Sequence, residues 1–358
     1  MVALTDMPAR SRAPLSRLAR ARRLHLLLAL LLACTALASL GVGATGVSLG
    51  DILSRLARGE ALSRMERIVL LDIRLPRLVM GICVGAALAV SGAVMQGLFR
   101  NPLADPGIVG VGAGAGLGAI SAIVLGLWLP AGVLAVVGAH LVPLAAFLGS
   151  WATTLLLYRV STRHGRTSVA TMLLAGIALG ALAAALSGVL VYMADDSQLR
   201  DLTFWGLGSL AGASWAKLSV AAPAMLLAIA GAALLGRALN ALALGEATAH
   251  HIGIPVQRMK NAAILAVALA TGAAVAVSGG IGFVGIVVPH LLRLGSGPDH
   301  RPLLVNAALL GATLLISADM IARTIIAPAE LPIGIVTAVL GAPVFLWILL
   351  RQRAAVDL

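Results

Sequence analysis

Charge is scarce in this sequence. Only 11% of its 358 residues are Asp, Glu, Lys or Arg, against 60% hydrophobic. A soluble protein of this length needs far more charge to cover its surface, so a soluble globular class is excluded. Lysine is almost missing, with Lys217 and Lys260 the sole examples. Neither follows a glycine, so no Gly-x-x-x-x-Gly-Lys-[Ser/Thr] pattern exists and the chain has no phosphate-binding loop of its own. Aromatic residues amount to 3%. The net charge of +12 therefore comes without the basic, aromatic-interleaved region that binds nucleic acid. Cysteine is limited to Cys34 and Cys83, each in an apolar run. That placement suits neither a disulfide framework nor a metal pair, and both are expected to be small buried hydrophobes. No carboxylate is expected mid-span to serve a proton or sodium relay. No nucleophile has a matched base. The chain is not read as an enzyme, and energy for any driven transport enters through a partner.

What is present is a series of long apolar runs. The expected fold class is an all-α polytopic membrane protein with about ten transmembrane helices of roughly 20 residues. They fall at residues 24–42, 77–97, 108–128, 134–158, 168–192, 217–239, 260–280, 282–294, 303–323 and 332–350, with 282–294 the least regular. Residues 1–23 form a basic tail, and 24–358 a single membrane domain. The tail and first run also resemble a signal peptide, with Leu31, Leu32, Ala33 and Cys34 like a lipoprotein cleavage box. An uncleaved first span is favoured, because the basic region is long and many spans follow. Ten spans put both termini in the cytoplasm, together with Arg159, Arg163, Arg166, Arg237, Arg258, Lys260, Arg293, Arg301, Arg351 and Arg353, as the positive-inside tendency requires. The exception is the outer loop 43–77. It carries Arg55, Arg58, Arg64, Arg67, Arg74 and Arg77 against Asp51, Glu60, Glu66 and Asp72. Snorkelling explains single arginines; the cluster suggests docking of an acidic partner.

Several shorter patterns stand out. Gly81/Gly85, Gly112/Gly116 and Gly114/Gly118 are small-xxx-small pairs expected to pack helices. Asn101-Pro102 and Asp105-Pro106 break the helix in a turn at the cytoplasmic membrane face, with a gate-proximal turn as the sharper reading. Residues 242–255 are too long for a simple reconnection and read as one or two short helices presented to another protein. His250 and His251 point about 100° apart on a helix, which makes shared metal ligation poor. Four glycines and a proline in 279–290 imply a broken span, tolerated where protein buries it or it lines a cavity. His290 reads as a helix-end histidine and Asp299 as an N-cap. Residues 195–215 mix charge, including Arg200, with Trp205 and Trp215, and suit an interfacial anchor or a vestibule lining. Residues 85–92 match 272–279 at seven of eight positions. The two copies lie on spans of opposite direction, which suggests an inverted repeat with halves at roughly 74–192 and 260–350.

Taken together, Arg74-Leu-Pro-Arg77, Ser91-Gly-Ala-Val-Met-Gln-Gly97, Asn101-Pro-Leu-Ala-Asp-Pro-Gly107, Gly282-Phe-Val-Gly-Ile-Val-Val-Pro-His290, Asp299-His-Arg301, Glu330-Leu-Pro-Ile-Gly334 and Gly341-Ala-Pro-Val-Phe345 resemble the FecCD-type permeases. These are membrane subunits of type II ABC importers for cobalamin, ferric siderophores and haem. The resemblance covers nearly the whole chain beyond about residue 45. It implies a multi-pass permease of the bacterial inner membrane that works as a homodimer. It further implies two cytoplasmic ATPase subunits, which use ATP and Mg, and a periplasmic binding protein. Docking to that protein would fall on Arg74, Arg77 and Arg323. Coupling to the ATPase would fall on segment 240–258, through Leu244, Gly245, Glu246, Ala249 and Gly253. Residues 198–215 resemble the haem-permease branch more than the cobalamin one, and His290 and His300 match positions proposed to handle haem there. Haem is the expected cargo, with a ferric siderophore or cobalamin as alternatives; His290, His300 and Arg200 are candidates for its path. No permanently bound cofactor or metal is expected. An ion-coupled secondary transporter, suggested by the repeat, is the more distant alternative.

Overall fold

The computed structural model describes residues 13–43, 48–163 and 166–356. Helix α1 (Ala13–Gly41) runs from the basic stretch into the first apolar run; residues 1–12 lie outside the described residues. Then follow α2 (Leu49–Ala57), α3 (Arg64–Arg67), a π-helical stretch Ile68–Arg74, and α4 (Leu75–Leu98). Next come α5 (Val111–Leu125), α6 (Ala131–Val137), α7 (Leu141–Ser161), α8 (Val169–Met193) and α9 (Asp196–Leu207). The chain continues with α10 (Trp215–Leu234), α11 (Gly236–Ala243), α12 (Glu246–His251) and α13 (Val256–Ser278). It ends with α14 (Val284–Ser296), α15 (His300–Ala322) and α16 (Ile333–Val356). Among the described residues eight helices are long and apolar enough to cross a membrane, and α14 and α16 supply two shorter apolar segments. A two-residue antiparallel ribbon pairs Thr162 with Thr167 and Arg163 with Arg166 between α7 and α8.

The second crossing departs from expectation. It spans Arg64–Leu98 as one continuous helical rod, not residues 77–97. Its start is set by a reciprocal cap. Ser63 accepts the Glu66 N–H (3.2 Å), and the Glu66 carboxylate accepts the Ser63 N–H (2.8 Å). That closes two of the orphan donors at a helix start and moves the beginning back beyond Arg74. The loop of arginines is correspondingly shorter, and part of it is α2, anchored through buried Ile52.

Helix α4 is the hub. It is buried along nearly its whole length and packs against α10, α13, α14 and α15. Glycine makes this possible. A Cβ on Gly85 would lie 2.4 Å from the Gly311 carbonyl oxygen, and one on Gly92 would lie 1.9 Å from that of Gly285. The helices therefore meet backbone to backbone, as membrane helices do when dispersion replaces the hydrophobic effect as the glue. Gly114 and Gly118 do the same for α5 against α7. Gly112 and Gly116 do not: nothing lies within 4 Å of a Cβ built there. That expected packing pair corrects to an open edge.

The turn after α4 also differs from a simple turn at the membrane face. The chain folds back so that Asp105 and Pro106 reach Gly285, which itself opposes the Leu88 carbonyl. Leu88 lies ten residues before the end of α4, about 15 Å along the helix at 1.5 Å per residue. The segment is re-entrant, and α14 begins at this same level after the break at Gly279–Phe283. Both irregular stretches shield each other, as backbone at membrane depth must. The structure defines two faces of the bundle. One holds Arg74, Arg77 and Arg323 and is called the arginine face; the other holds the 162–167 ribbon and α11–α12 and is called the ribbon face.

Substituting Gly92→Ala tests the seam. The added methyl meets backbone that cannot rotate away, so α4 and α14 must separate, at a cost of about 1–3 kcal/mol. Thermal unfolding in detergent should drop by several degrees, whereas Gly116→Ala, in open space, should leave it unchanged.

Candidate functional site

On the arginine face three basic groups converge from two helices. Arg77 donates through Nε to both carboxylate oxygens of Asp319 (2.9 and 3.1 Å), and its Nη2 lies 2.8 Å from Oδ1. Its Nη1 reaches Glu330 at 2.8 Å. Arg323, one helical turn beyond Asp319, approaches it at 3.5 Å and donates to the backbone and hydroxyl oxygens of Ser39. Arg74 donates to the Leu40 carbonyl at 2.6 Å. These bonds tie the end of α1 to α4 and α15. The arginines are 4%, 8% and 6% exposed for Arg74, Arg77 and Arg323.

Arg74, Arg77 and Arg323 are therefore brought together, but in this chain they face inward rather than outward. Arg58, Arg64 and Arg67 are exposed on this face. Glu330 is the outermost member of the cluster at 39% side-chain exposure. Sequence reasoning missed Asp319, although it precedes Arg323 by four residues on an apolar helix, the spacing that pairs charges on one face.

On the ribbon face α11 and α12 form the expected pair of short helices. Gly245 and Gly253, at φ +109° and +84°, let the chain turn before and after α12. Leu244 and Ile252 are exposed, as are His250 and His251, whose rings stand edge to face 6.4 Å apart. Ala249 is fully buried and so anchors α12 instead of presenting a surface. Glu246 is held by buried Lys260 of α13 at 2.7 Å. The same ammonium donates to the Thr167 carbonyl at 3.0 Å, and Gln257 bonds Thr167 as well. Lys260 thereby joins α12, α13 and the ribbon. Asn240 of α11 accepts from the His300 backbone N–H and meets its Nδ1 (2.8 and 2.9 Å), and donates to Asp299 (2.7 Å). Burial works against charge on the Asp299 carboxylate, but the bonds from Arg301 and Asn240 outweigh it and hold its pKa below the usual range. A lowered folded value means this tie is complete above about pH 3.9 and is lost only as acidification passes through the folded value.

The path candidates do not form one cluster. His290 on α14 and His300 at the start of α15 are both buried, and His290 Nδ1 and His300 Nε2 have no hydrogen-bond partner among the described residues. His300 packs over Gly97, and Arg293 bonds Gln96 beside them. Arg200 is exposed on α9, whose Gln198 bonds the carbonyls of Ile123 and Val124 at the far end of α5. It belongs to the opposite end of the bundle from His300. Two further expectations need correction. Cys34 is exposed on α1, while Cys83 is buried as expected. Asp105 is a carboxylate at membrane depth, because the re-entrant turn carries it there; no helical periodicity signals that. It lines a cavity of about 360 Å³ with Trp205, Thr271 and Gly280.

Two variants test these clusters. Asp319→Leu removes the carboxylate that Arg77 and Arg323 share, leaving Arg77 only Glu330, and should destabilise the protein by about 3–5 kcal/mol, with part restored by adding Arg77→Met; unfolding in detergent measures both. Lys260→Met should free the 162–167 ribbon and α12, read as faster protease cleavage and amide exchange at those segments with the helical core unchanged.

Comparison with known proteins places this geometry. The FecCD transport family matches residues 30–351. The chain is 47% identical over 326 residues to the hemin transport system permease protein HmuU of Yersinia pestis, covering 91% of this chain and 95% of that protein. It is 44% identical over 331 residues to the vitamin B12 import system permease protein BtuC of Shigella boydii, covering 92% and 95%. A solved structure described as an inward-facing conformation of a metal-chelate type ABC transporter superposes with a TM-score of 0.80 at 33% identity, covering 92% of this chain and 99% of that one. With eight helices long and apolar enough to cross a membrane among the described residues and a family match over most of its length, this chain belongs to the FecCD transport family.

Proposed function

We propose that this permease, the membrane-spanning subunit of a type II ABC importer, carries haem into the cytoplasm. It is a transport component of the bacterial inner membrane, not an enzyme, and ATP acts through a partner ATPase. The observation that carries the haem reading is the 47% identity to a hemin permease across nearly both full lengths. The 198–215 stretch supports it, as do two buried histidines with unused ring nitrogens, since imidazole is a natural haem ligand. Their burial suits brief contact while α14 and α15 move; a strong permanent ligand would trap the cargo. Cobalamin is the second reading, favoured by the B12 permeases at 44% identity.

The remaining roles follow from the two faces. The arginine face is periplasmic and receives an acidic binding protein. Arg58, Arg64 and Arg67 steer it, and Arg74, Arg77 and Arg323 engage its carboxylates once Glu330 gives way. The ribbon face is cytoplasmic, with both termini, and presses Leu244 and Ile252 into an ATPase cleft. Gly245, Glu246, Ala249 and Gly253 hold those two apolar residues in place. Two copies of the chain, with two ATPase subunits, enclose the path along the dimer axis. The halves at 74–192 and 260–350 act as an inverted repeat.

Reconstituted with its ATPase and binding protein, the permease should take up haem in an ATP-dependent way, faster than a ferric siderophore or cobalamin. Faster cobalamin uptake would favour the second reading, and uptake driven by an ion gradient without ATP would refute the importer. The double reversal Arg64→Glu with Arg67→Glu should slow binding-protein association about tenfold at low salt, with little change at high salt or in melting temperature.

A further inference from the structure

The cavity beside the mid-membrane break is more than a packing gap. Asp105, Gly107, Gly206, Thr271, Gly280 and Gly285 contribute to its wall. Glycine leaves that wall flat and its backbone accessible. The Asp105 carboxylate accepts the Gly107 N–H at 2.7 Å through Oδ1. Its Oδ2 lies beside Gly285, and no basic side chain among the described residues forms an ion pair with it. The contrast is Asp319, which is buried and neutralised by two arginines.

Thr271 supplies an independent observation. It is 4% exposed, lines the same cavity, and its buried hydroxyl has no hydrogen-bond partner among the described residues. Most buried helix hydroxyls avoid that state; Ser91 shares it but does not line the cavity. Those of Thr153, Thr154, Ser161, Ser278, Thr313 and Ser317 each donate to the carbonyl four residues back. An unused buried hydroxyl costs stability unless something else meets it. An ionisable side chain at membrane depth is costly too, and characteristically faces a path or ligand.

The chemistry of the site follows from these atoms. A carboxylate only accepts hydrogen bonds, and so do backbone carbonyls; the hydroxyl can accept as well. No cation is at hand. With Asp105 ionised such a wall repels a carboxylate, and it holds an N–H donor or a positive charge, whose approach in turn favours the ionised form. We propose that Asp105 and Thr271 form a selectivity site within the membrane that takes the hydrogen-bond-donating or cationic edge of the cargo and turns its carboxylates away. The site rests on the importer reading above. For haem it means that the two carboxylate-bearing chains point away from this wall during passage, so the site orients the ring without ligating the iron.

The test uses the complete complex in proteoliposomes with two probes: haem, and its bis-amide, in which amides replace both carboxylates. Uptake of each is compared for wild type, Asp105→Asn and Thr271→Val. Asparagine keeps an oxygen for the Gly107 N–H, so the turn is preserved while the charge is lost. Asp105→Asn should shift the uptake ratio toward haem by about tenfold, the scale of one charge-assisted hydrogen bond. Thr271→Val should lower bis-amide uptake about threefold and leave haem uptake unchanged. An unchanged ratio in Asp105→Asn, or an equal fall of both probes in both variants, would overturn the site while leaving the importer intact. Failure of the wild type to take up either probe would instead overturn the importer reading on which the site depends.

Discussion

The carbonyl of Gly285 occupies the place where any side chain at residue 92 would have to stand. That close approach organises the molecule. Lipid offers no hydrophobic drive for helix association, so tight packing of α4 against α14 and α15 must come from backbone proximity and dispersion. Gly85 against Gly311 repeats the device along the same helix. With α4 seated this deeply, it becomes a wall on which two irregular segments can rest at membrane depth. The re-entrant turn and the start of α14 meet there, and the cavity lies beside them.

A second constraint is electrostatic. A charge in the bundle has to find a partner or face water. At the arginine face the chain meets this by convergence: Asp319 serves Arg77 and Arg323, while Glu330 caps the cluster toward solvent. Replacing such a cluster by apolar groups need not lower stability, so stability alone does not account for it. At the ribbon face the solution is different. Lys260 carries one charge into a buried position and uses it to hold two short segments, the ribbon and α12, to the end of α13. A push on α12 therefore reaches a crossing helix directly, and Asn240 gives α11 the same kind of grip on α15.

Much of the architecture was legible in the residues. Composition demanded a membrane protein, and the apolar runs located its crossings. The punctuation by Gly245, Gly253 and Pro255 marked the short helices, and the small-xxx-small pairs marked real seams at Gly85, Gly114 and Gly118. The pattern failed at Gly112 and Gly116, because spacing shows that two glycines share a face but not whether another helix covers it. It failed again at Arg64–Arg74. The Ser63–Glu66 capping box was readable there, yet a dense charge cluster resembled a loop.

The sequence by itself determined the class, the family and the number of apolar segments, since these depend on side-chain chemistry summed along the chain. Which charges meet was decided only by tertiary structure. Arg77 and Asp319 are separated by 242 residues, and no local rule connects them. The same holds for Asp105. Its neighbours in the chain announce a turn, but only the folding back of that turn onto Leu88 and Gly285 carries its carboxylate into the membrane. Depth, unlike hydrophobicity, is a property of the packed bundle and not of any one segment.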